Sequence, residues 1–230
     1  MEPRIRIGMV GGGQGAFIGA VHRIAARLDD QYTLVCGALS SDPDRARASG
    51  AEIGLDPARS YASYASMFEA ERARPDGMQA VVIVTPNHMH FPVAKAAVEA
   101  GFHVICDKPL VNTVAEAEEL AGLVQRSGKL FAITYNYSAY AMIRQARAMV
   151  AAGALGEIRV VQAEYAQAWL ADALETTGHK QAAWRTDPAR TGAGGSIGDI
   201  GTHAFNLAEF VTGLHAESVA ADLASFVPGR

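Results

Sequence analysis

The sequence predicts an α/β domain built on an open parallel sheet, followed by the start of a second domain whose sheet is of a different kind. Three observations predict it. From residue 4 to about 135, short runs rich in β-branched residues alternate with helical stretches, the order that builds βαβ units. The strand-like runs there, such as AVVIV at 80–84, are apolar throughout, as strands covered on both faces must be. After Tyr135 the style changes: EIRVVQAEYAQ, 157–167, is the first segment with clear period-two alternation, which suits a half-exposed strand.

In chain order, RIRIGMV, YTLVCGAL, AVVIV, FHVIC and KLFAITY read as strands of a sheet expected to hold about six. Helical segments are expected at 18–28, 43–53, 64–71, 90–101 and 113–128. In the last of these Thr113 precedes Glu116 by three residues, as a capping box requires. Ala117, Leu120, Ala121 and Val124 form a stripe at helical period, and Ser127 and Gly128 stop it. Beyond Tyr135, segments 138–156 and 197–213 have helical spacing and ESVAADLASFV, 217–227, reads as a second strand. Residues 170–195 are polar, glycine-rich and aperiodic, with Trp169 and Trp184 in or beside them, and read as a long lid or binding loop. Domains are therefore expected at 1–135 and 136–230.

Half of the 230 residues are apolar, 19% are charged and the net charge is −4, so the chain can bury a core. Without a basic patch interleaved with aromatics it offers no footprint for nucleic acid. No apolar run approaches the length that spans a bilayer and MEPRIRIG carries no export signal, so the expectation is a cytoplasmic protein without membrane contact. Cys36 and Cys106 sit in apolar runs without CxxC spacing, and read as buried thiols rather than a disulfide.

The first strand runs into GMVGGGQGAFIGAVHR. Gly11, Gly13 and Ala16 meet the Gly-x-Gly-x-x-Gly/Ala spacing, with Gly15 and Gly19 leaving the register open, where backbone amides and a helix N-terminus can meet a pyrophosphate. The acid that usually ends the second strand is replaced by Ser40 and Ser41. Either these hydroxyls hold the adenosine ribose, or the pocket takes a 2′-phosphate with Arg45 or Arg47; Asp42 also lies within reach of the ribose, and the same Ser-Ser-Asp-Pro run suits a helix N-cap. The expected cofactor is thus NAD or NADP.

TPNHMH follows the strand 80–84 and DKPL ends the strand 102–106, so both polar stretches point to the crevice at the strand ends. Asn87 suits the nicotinamide ribose or amide; His88 and His90 suit either that site or helix capping and the surface. Lys108 emerges from an apolar strand beside the crevice, where desolvation lowers a lysine's pKa or, if it stays charged, it polarises a substrate oxygen. Pro109 fixes the exit and can be cis. In GAGGSIGDIGTHAFN, Asp199 and His203 are four apart and share one helix face, a pairing that lets a histidine take a hydroxyl proton while hydride leaves the same carbon. His88, His90, Asp199 and His203 lack a metal-site spacing, and Lys108 would oppose a cation, so no metal is expected.

With these motifs the chain resembles the Gfo/Idh/MocA family of nicotinamide-dependent oxidoreductases. Gly11, Gly13 and Ala16 match its glycine turn; Thr85, Pro86, Asn87 and His90 match its TPNxxH; Gly101, His103, Val104, Lys108 and Pro109 match its AGxHVxxEKP; and Asp199, Gly201 and His203 match its DxGxH. The resemblance implies a Rossmann domain followed by an α+β domain with an open mixed or largely antiparallel sheet, and a cofactor site drawing on Gly11, Gly13, Gly15, Ala16, Ser40, Ser41, Thr85, Pro86, Asn87, His90, Asp107 and Lys108. It implies that Lys108, Asp199 and His203 act on a sugar, a polyol or a keto derivative. His203 would serve as general base or acid, Lys108 would polarise the reacting oxygen and Asp199 would position substrate and histidine. Asp107 stands where the family has glutamate, and Asn206 where many members have aspartate. The family's second domain continues well past residue 230, so its sheet is expected to be incomplete here, with dimers or tetramers a property of a longer protein. Two other readings share these residues: glycoside cleavage through transient oxidation, with His179 or Tyr165 as the extra acid or base, and a nucleotide-bound sugar sensor. Tyr137, Trp169, His179, Lys180, Trp184 and Arg185 are the expected pocket or lid residues.

Overall fold

The computed structural model describes residues 3–228 and 230, and divides into two compact units, 1–134 and 135–230. In the first unit five parallel strands, β1 (Ile5–Gly11), β2 (Tyr32–Ala38), β3 (Ala80–Val84), β4 (His103–Cys106) and β5 (Phe131–Ile133), form one sheet in the order β2-β1-β3-β4-β5. These are the five runs picked out by sequence, and no sixth strand joins them among the described residues; AVVIV is the third strand in chain order. The helices between them are α1 (Ile18–Leu28), α2 (Pro43–Glu52), α3 (Tyr64–Arg72), α4 (His90–Glu99) and α5 (Val114–Ser127).

β3 shows why continuous apolar runs make this sheet. All five of its residues are buried, and they alternate between two cores: Val81 and Ile83 pack with Val93, Ala97 and Leu120, while Ala80, Val82 and Val84 pack with Ile7, Met9 and Leu39. Each of the buried valines and the isoleucine contributes about 1.5–3 kcal/mol by leaving water, on both faces of the strand, which a strand with a polar face could not gain twice. α5 starts with the expected capping box, in which the Thr113 hydroxyl accepts from Glu116 N at 3.2 Å and the Glu116 carboxylate accepts from Thr113 N at 3.1 Å. It ends at Gly128, in the left-handed conformation.

The second unit holds α6 (Ala141–Ala151), α7 (Lys180–Arg185), α8 (Pro188–Thr191) and α9 (Thr202–Thr212), with a π turn over Ile197–Gly201 leading directly into α9. α6 packs on α9, with the Arg147 guanidinium 4.5 Å from the centre of the Phe210 ring. Two expectations fail here. Segment 170–195 is not one aperiodic loop, because α7 and α8 form inside it. Conversely, the segments 157–167 and 217–227 carry no ladder, and the described residues of this unit contain no strand. Most of their side chains stay in water, with Val160 and Val219 each 83% exposed. A strand exists only where neighbours take its N–H and C=O groups, and alternation in sequence does not supply them.

Candidate active site

Because the strands are parallel, the polar residues after β1, β2, β3 and β4 lie along one edge of the sheet, and the strand order reverses between β1 and β3, where open α/β sheets form their ligand crevice. The turn after β1 is cut to glycine. A Cβ on Gly11 would lie 2.8 Å from the Val84 carbonyl oxygen, and on Gly13 2.6 Å from the Leu39 carbonyl oxygen. The tight helix-to-strand approach falls on Gly12 and Gly19, where a Cβ on Gly19 would lie 2.4 Å from Gly12 Cα, rather than on Ala16. Gly11, Gly12 and Gly15 have positive φ. Around this turn Arg23 donates to the Gly12 carbonyl at 2.9 Å, and Gln14 N donates to the hydroxyl of buried Ser49 at 3.0 Å.

After β2, Asp42 is spent on the backbone: its carboxylate caps α2 by accepting from Arg45 N at 2.9 Å, a bond that holds its pKa below the usual range. Ser40 is half-buried, its hydroxyl accepting from Asp42 N at 3.2 Å, while Ser41 is exposed; Arg47 pairs with Asp44.

The ends of β3 and β4 are level, since Ile83 pairs with Cys106, so Thr85 and Lys108 leave neighbouring strands at the same height. Thr85 Oγ1 is buried without a hydrogen-bond partner, the kind of orphan a ligand satisfies. Asn87 is buried and opens a 3-10 turn, Pro86 precedes it, and His88 is exposed. His90, expected either at the cofactor site or as a helix-capping or surface residue, is buried. Its ring is 1% exposed, with Nδ1 2.6 Å from the Pro109 carbonyl and Nε2 3.0 Å from that of Thr85, so it braces the two turns against each other. Burial lowers its pKa against the pull of both carbonyls, and a neutral ring donates to only one of them.

Lys108 is half-buried and precedes a cis Pro109. Asp107 is fixed beside it, accepting from Thr134 Oγ1 at 2.8 Å and from Lys108 N at 3.1 Å. His22, on α1, also feels this carboxylate: burial lowers its pKa and the charge of Asp107 raises it in part. A lone histidine inside an amphipathic helix gives no signal of that proximity. Cys36 and Cys106 are buried and unpaired, with burial pushing both thiols up.

In the second unit, Asp199 lies in the π turn and His203 in the first turn of α9. His203 is 6% exposed and set edge-on against two tyrosines, its ring centre 4.7 Å from that of Tyr137 and 5.9 Å from that of Tyr135. The Tyr137 hydroxyl meets that of Tyr165 at 2.7 Å, and this bond, then burial, pushes Tyr137 up to about 12. Tyr135 was not singled out by sequence, because a tyrosine at a domain boundary carries no pattern. Asp199 accepts from Arg185 Nε at 3.2 Å. His179 caps α7, its Nδ1 accepting from Ala182 N at 3.2 Å. Lys180 begins that helix.

The family's sequence profiles cover both units: residues 5–135 match "Oxidoreductase family, NAD-binding Rossmann fold", and 143–230 match "GFO/IDH/MocA C-terminal domain". The chain belongs to the Gfo/Idh/MocA oxidoreductase family. Uncharacterized oxidoreductase YfiI of Bacillus subtilis (strain 168) is 39% identical over 98% of this chain and 58% of its own length. Levoglucosan dehydrogenase of Pseudarthrobacter phenanthrenivorans is 29% identical over 98% of this chain and 55% of its own length. An inositol dehydrogenase homolog from Azotobacter vinelandii, solved with NAD+, is 43% identical, with a TM-score of 0.89 over 92% of this chain and 54% of that one. The same homolog has been solved with NADH and myo-inositol, with a TM-score of 0.83. The chain thus spans a little over half the length of these Gfo/Idh/MocA relatives.

The glycine cradle, the orphaned Thr85 hydroxyl at the β1/β3 crevice and the polar strand ends fit a dinucleotide. Among the described residues no group of three or more His, Cys, Asp or Glu side chains is placed to hold a metal ion, and no helix is long and apolar enough to cross a membrane.

Proposed function

We propose that this chain carries the cofactor site and the acid–base residues of an oxidoreductase that moves hydride between a nicotinamide and a carbinol carbon of a sugar, polyol or keto derivative. The observation that carries it is Lys108, placed by a buried parallel strand level with Thr85 at the crevice edge. The relatives solved with NAD+, and with NADH and myo-inositol, support the same reading.

The backbone of 11–16 and the α1 N-terminus hold the pyrophosphate; Ser40 and Ser41 meet the adenosine ribose; Thr85, Pro86 and Asn87 meet the nicotinamide end. When bound, the nicotinamide supplies the hydride acceptor or donor at its C4. Lys108 donates to the reacting oxygen and stabilises the charge that develops there. His203 takes the hydroxyl proton in oxidation and returns it in reduction, while Asp199 orients substrate and imidazole. His90 holds the Thr85 and Pro109 turns together, and Asp107 fixes the backbone beside Lys108. The substrate is a small molecule, the enzyme works in the cytoplasm, and homo-oligomers form in the full-length protein.

The test is nicotinamide fluorescence and turnover of the full-length enzyme with NAD+ and NADP+ over a panel of myo-inositol, levoglucosan, D-xylose and glucosides. Cofactor binding with turnover of at least one member is expected. Absence of any nicotinamide binding would sink the reading.

A further inference from the structure

α7 is short, yet it is built around one side chain. His179 caps its start, Ala182 is fully buried, and Arg185 leaves its last turn toward Asp199. Three restraints meet on the Arg185 guanidinium. Its Nε donates to Asp199 Oδ2 at 3.2 Å, its Nη1 donates to Gln181 Oε1 at 2.6 Å, and its Cζ lies over the Trp184 ring, 4.2 Å from the ring centre, with the Trp169 ring centre 5.6 Å away. Gln181 Oε1 also accepts from Trp184 Nε1 at 3.2 Å, so stacking ring and guanidinium share one anchor. The Arg185 and Asp199 side chains are 23% and 16% exposed.

A guanidinium stacked and hydrogen-bonded in this way has little freedom left, and only arginine combines a rigid fork of donors with a face that packs on indole. The carboxylate it meets sits in a π turn, a geometry uncommon in helices and frequent at functional sites. The restrained arginine that meets this carboxylate comes from another helix.

We propose that Arg185 is a positioning residue of the active site, holding Asp199 in its working orientation, and that Trp184 and Trp169 serve this bond by restraining the guanidinium. The inference rests on the reading of Asp199 as a site residue, and under it the 170–195 segment supplies the brace for the carboxylate. Arg185 acts through Asp199.

The test compares the full-length wild type with Asp199→Asn, Arg185→Met, Arg185→Lys and the double variant Arg185→Met/Asp199→Asn, using the panel member that wild type turns over fastest. For Arg185→Met we expect kcat to fall about 100-fold, the cost of a misplaced site group, with nicotinamide affinity and thermal midpoint close to wild type. Arg185→Lys, which keeps the charge and loses the fork, should recover only part of the rate, and millimolar guanidinium should raise the rate of Arg185→Met but not of Asp199→Asn. In the Asp199→Asn background, losing Arg185 should cost little more. If Asp199→Asn is impaired while Arg185→Met keeps wild-type kcat, or if the two losses multiply, the inference is wrong and the site reading stands. If Asp199→Asn itself is unimpaired, or no panel member is turned over, both fall.

Discussion

Lys108, Asp199 and His203, the proposed acid–base residues, stand out in the sequence because each breaks a local pattern: a charge at the end of an apolar strand, and an acid and a histidine four apart after a glycine-rich stretch. Tyr137 and Arg185 are among the expected pocket or lid residues, but their contacts with His203 and Asp199, and the Tyr135 ring beside His203, carry no periodicity that announces them. His90 shows the converse, since a histidine at a polar strand end reads the same whether its ring meets a ligand or two backbone carbonyls. Two outcomes follow at this scale. His203→Asn removes the proton acceptor and should lower kcat by about 10²–10⁴-fold with nicotinamide affinity retained, measured by steady-state kinetics and fluorescence titration. Thr85→Val should leave the ligand-free thermal midpoint unchanged or raised, because it removes an unpaired buried hydroxyl, yet weaken nicotinamide binding by about five-fold, the worth of one hydrogen bond.

The elements of the first unit were readable almost residue by residue, and α5 with its capping box is the clearest instance, because propensity, cap and stripe all agree. α7, α8 and the π turn were hidden because short helices among glycines are set by tertiary contacts rather than by period. The stretches 157–167 and 217–227 were over-read for the same reason in reverse. At the element scale Gly19 is decisive: Gly19→Ala puts a methyl into the Gly12 backbone and should destabilise the protein by about 1–3 kcal/mol in denaturant melts, with loss of nicotinamide binding. A second test concerns Glu71, on α3, whose side chain is fully buried. It accepts from Arg59 Nε at 3.0 Å, from Tyr61 at 2.9 Å and from Met78 N at 3.0 Å, tying α3 to the segments before and after it. Burial works to raise this carboxyl, but these bonds together outweigh it and leave it below the ordinary value of 4.5. A depressed carboxylate lends stability that is complete above pH 4.5 and is lost as pH falls through the lowered folded value. Glu71→Gln should therefore cost about 3 kcal/mol near neutrality, and the gap to wild type should narrow on acidification below pH 4.5.

On the scale of the whole molecule, the order β2-β1-β3-β4-β5 concentrates four strand ends on one edge, so residues between 11 and 108 in sequence share one crevice. That convergence was legible, since parallel βαβ units place every strand's C-terminal end together. In the second unit the segments 157–167 and 217–227 pair with no strand among the described residues, so alternation there did not foretell a ladder. The proposed function centres on hydride transfer, and isotope tracing tests it most directly. The full-length enzyme would be given NAD+ or NADP+ with carbon-deuterated members of the sugar and polyol panel, and the reduced cofactor analysed by mass spectrometry. One deuterium carried from a carbinol carbon to the nicotinamide ring is the predicted result. Unlabelled cofactor from every panel member, or no binding of either nucleotide, would contradict the account.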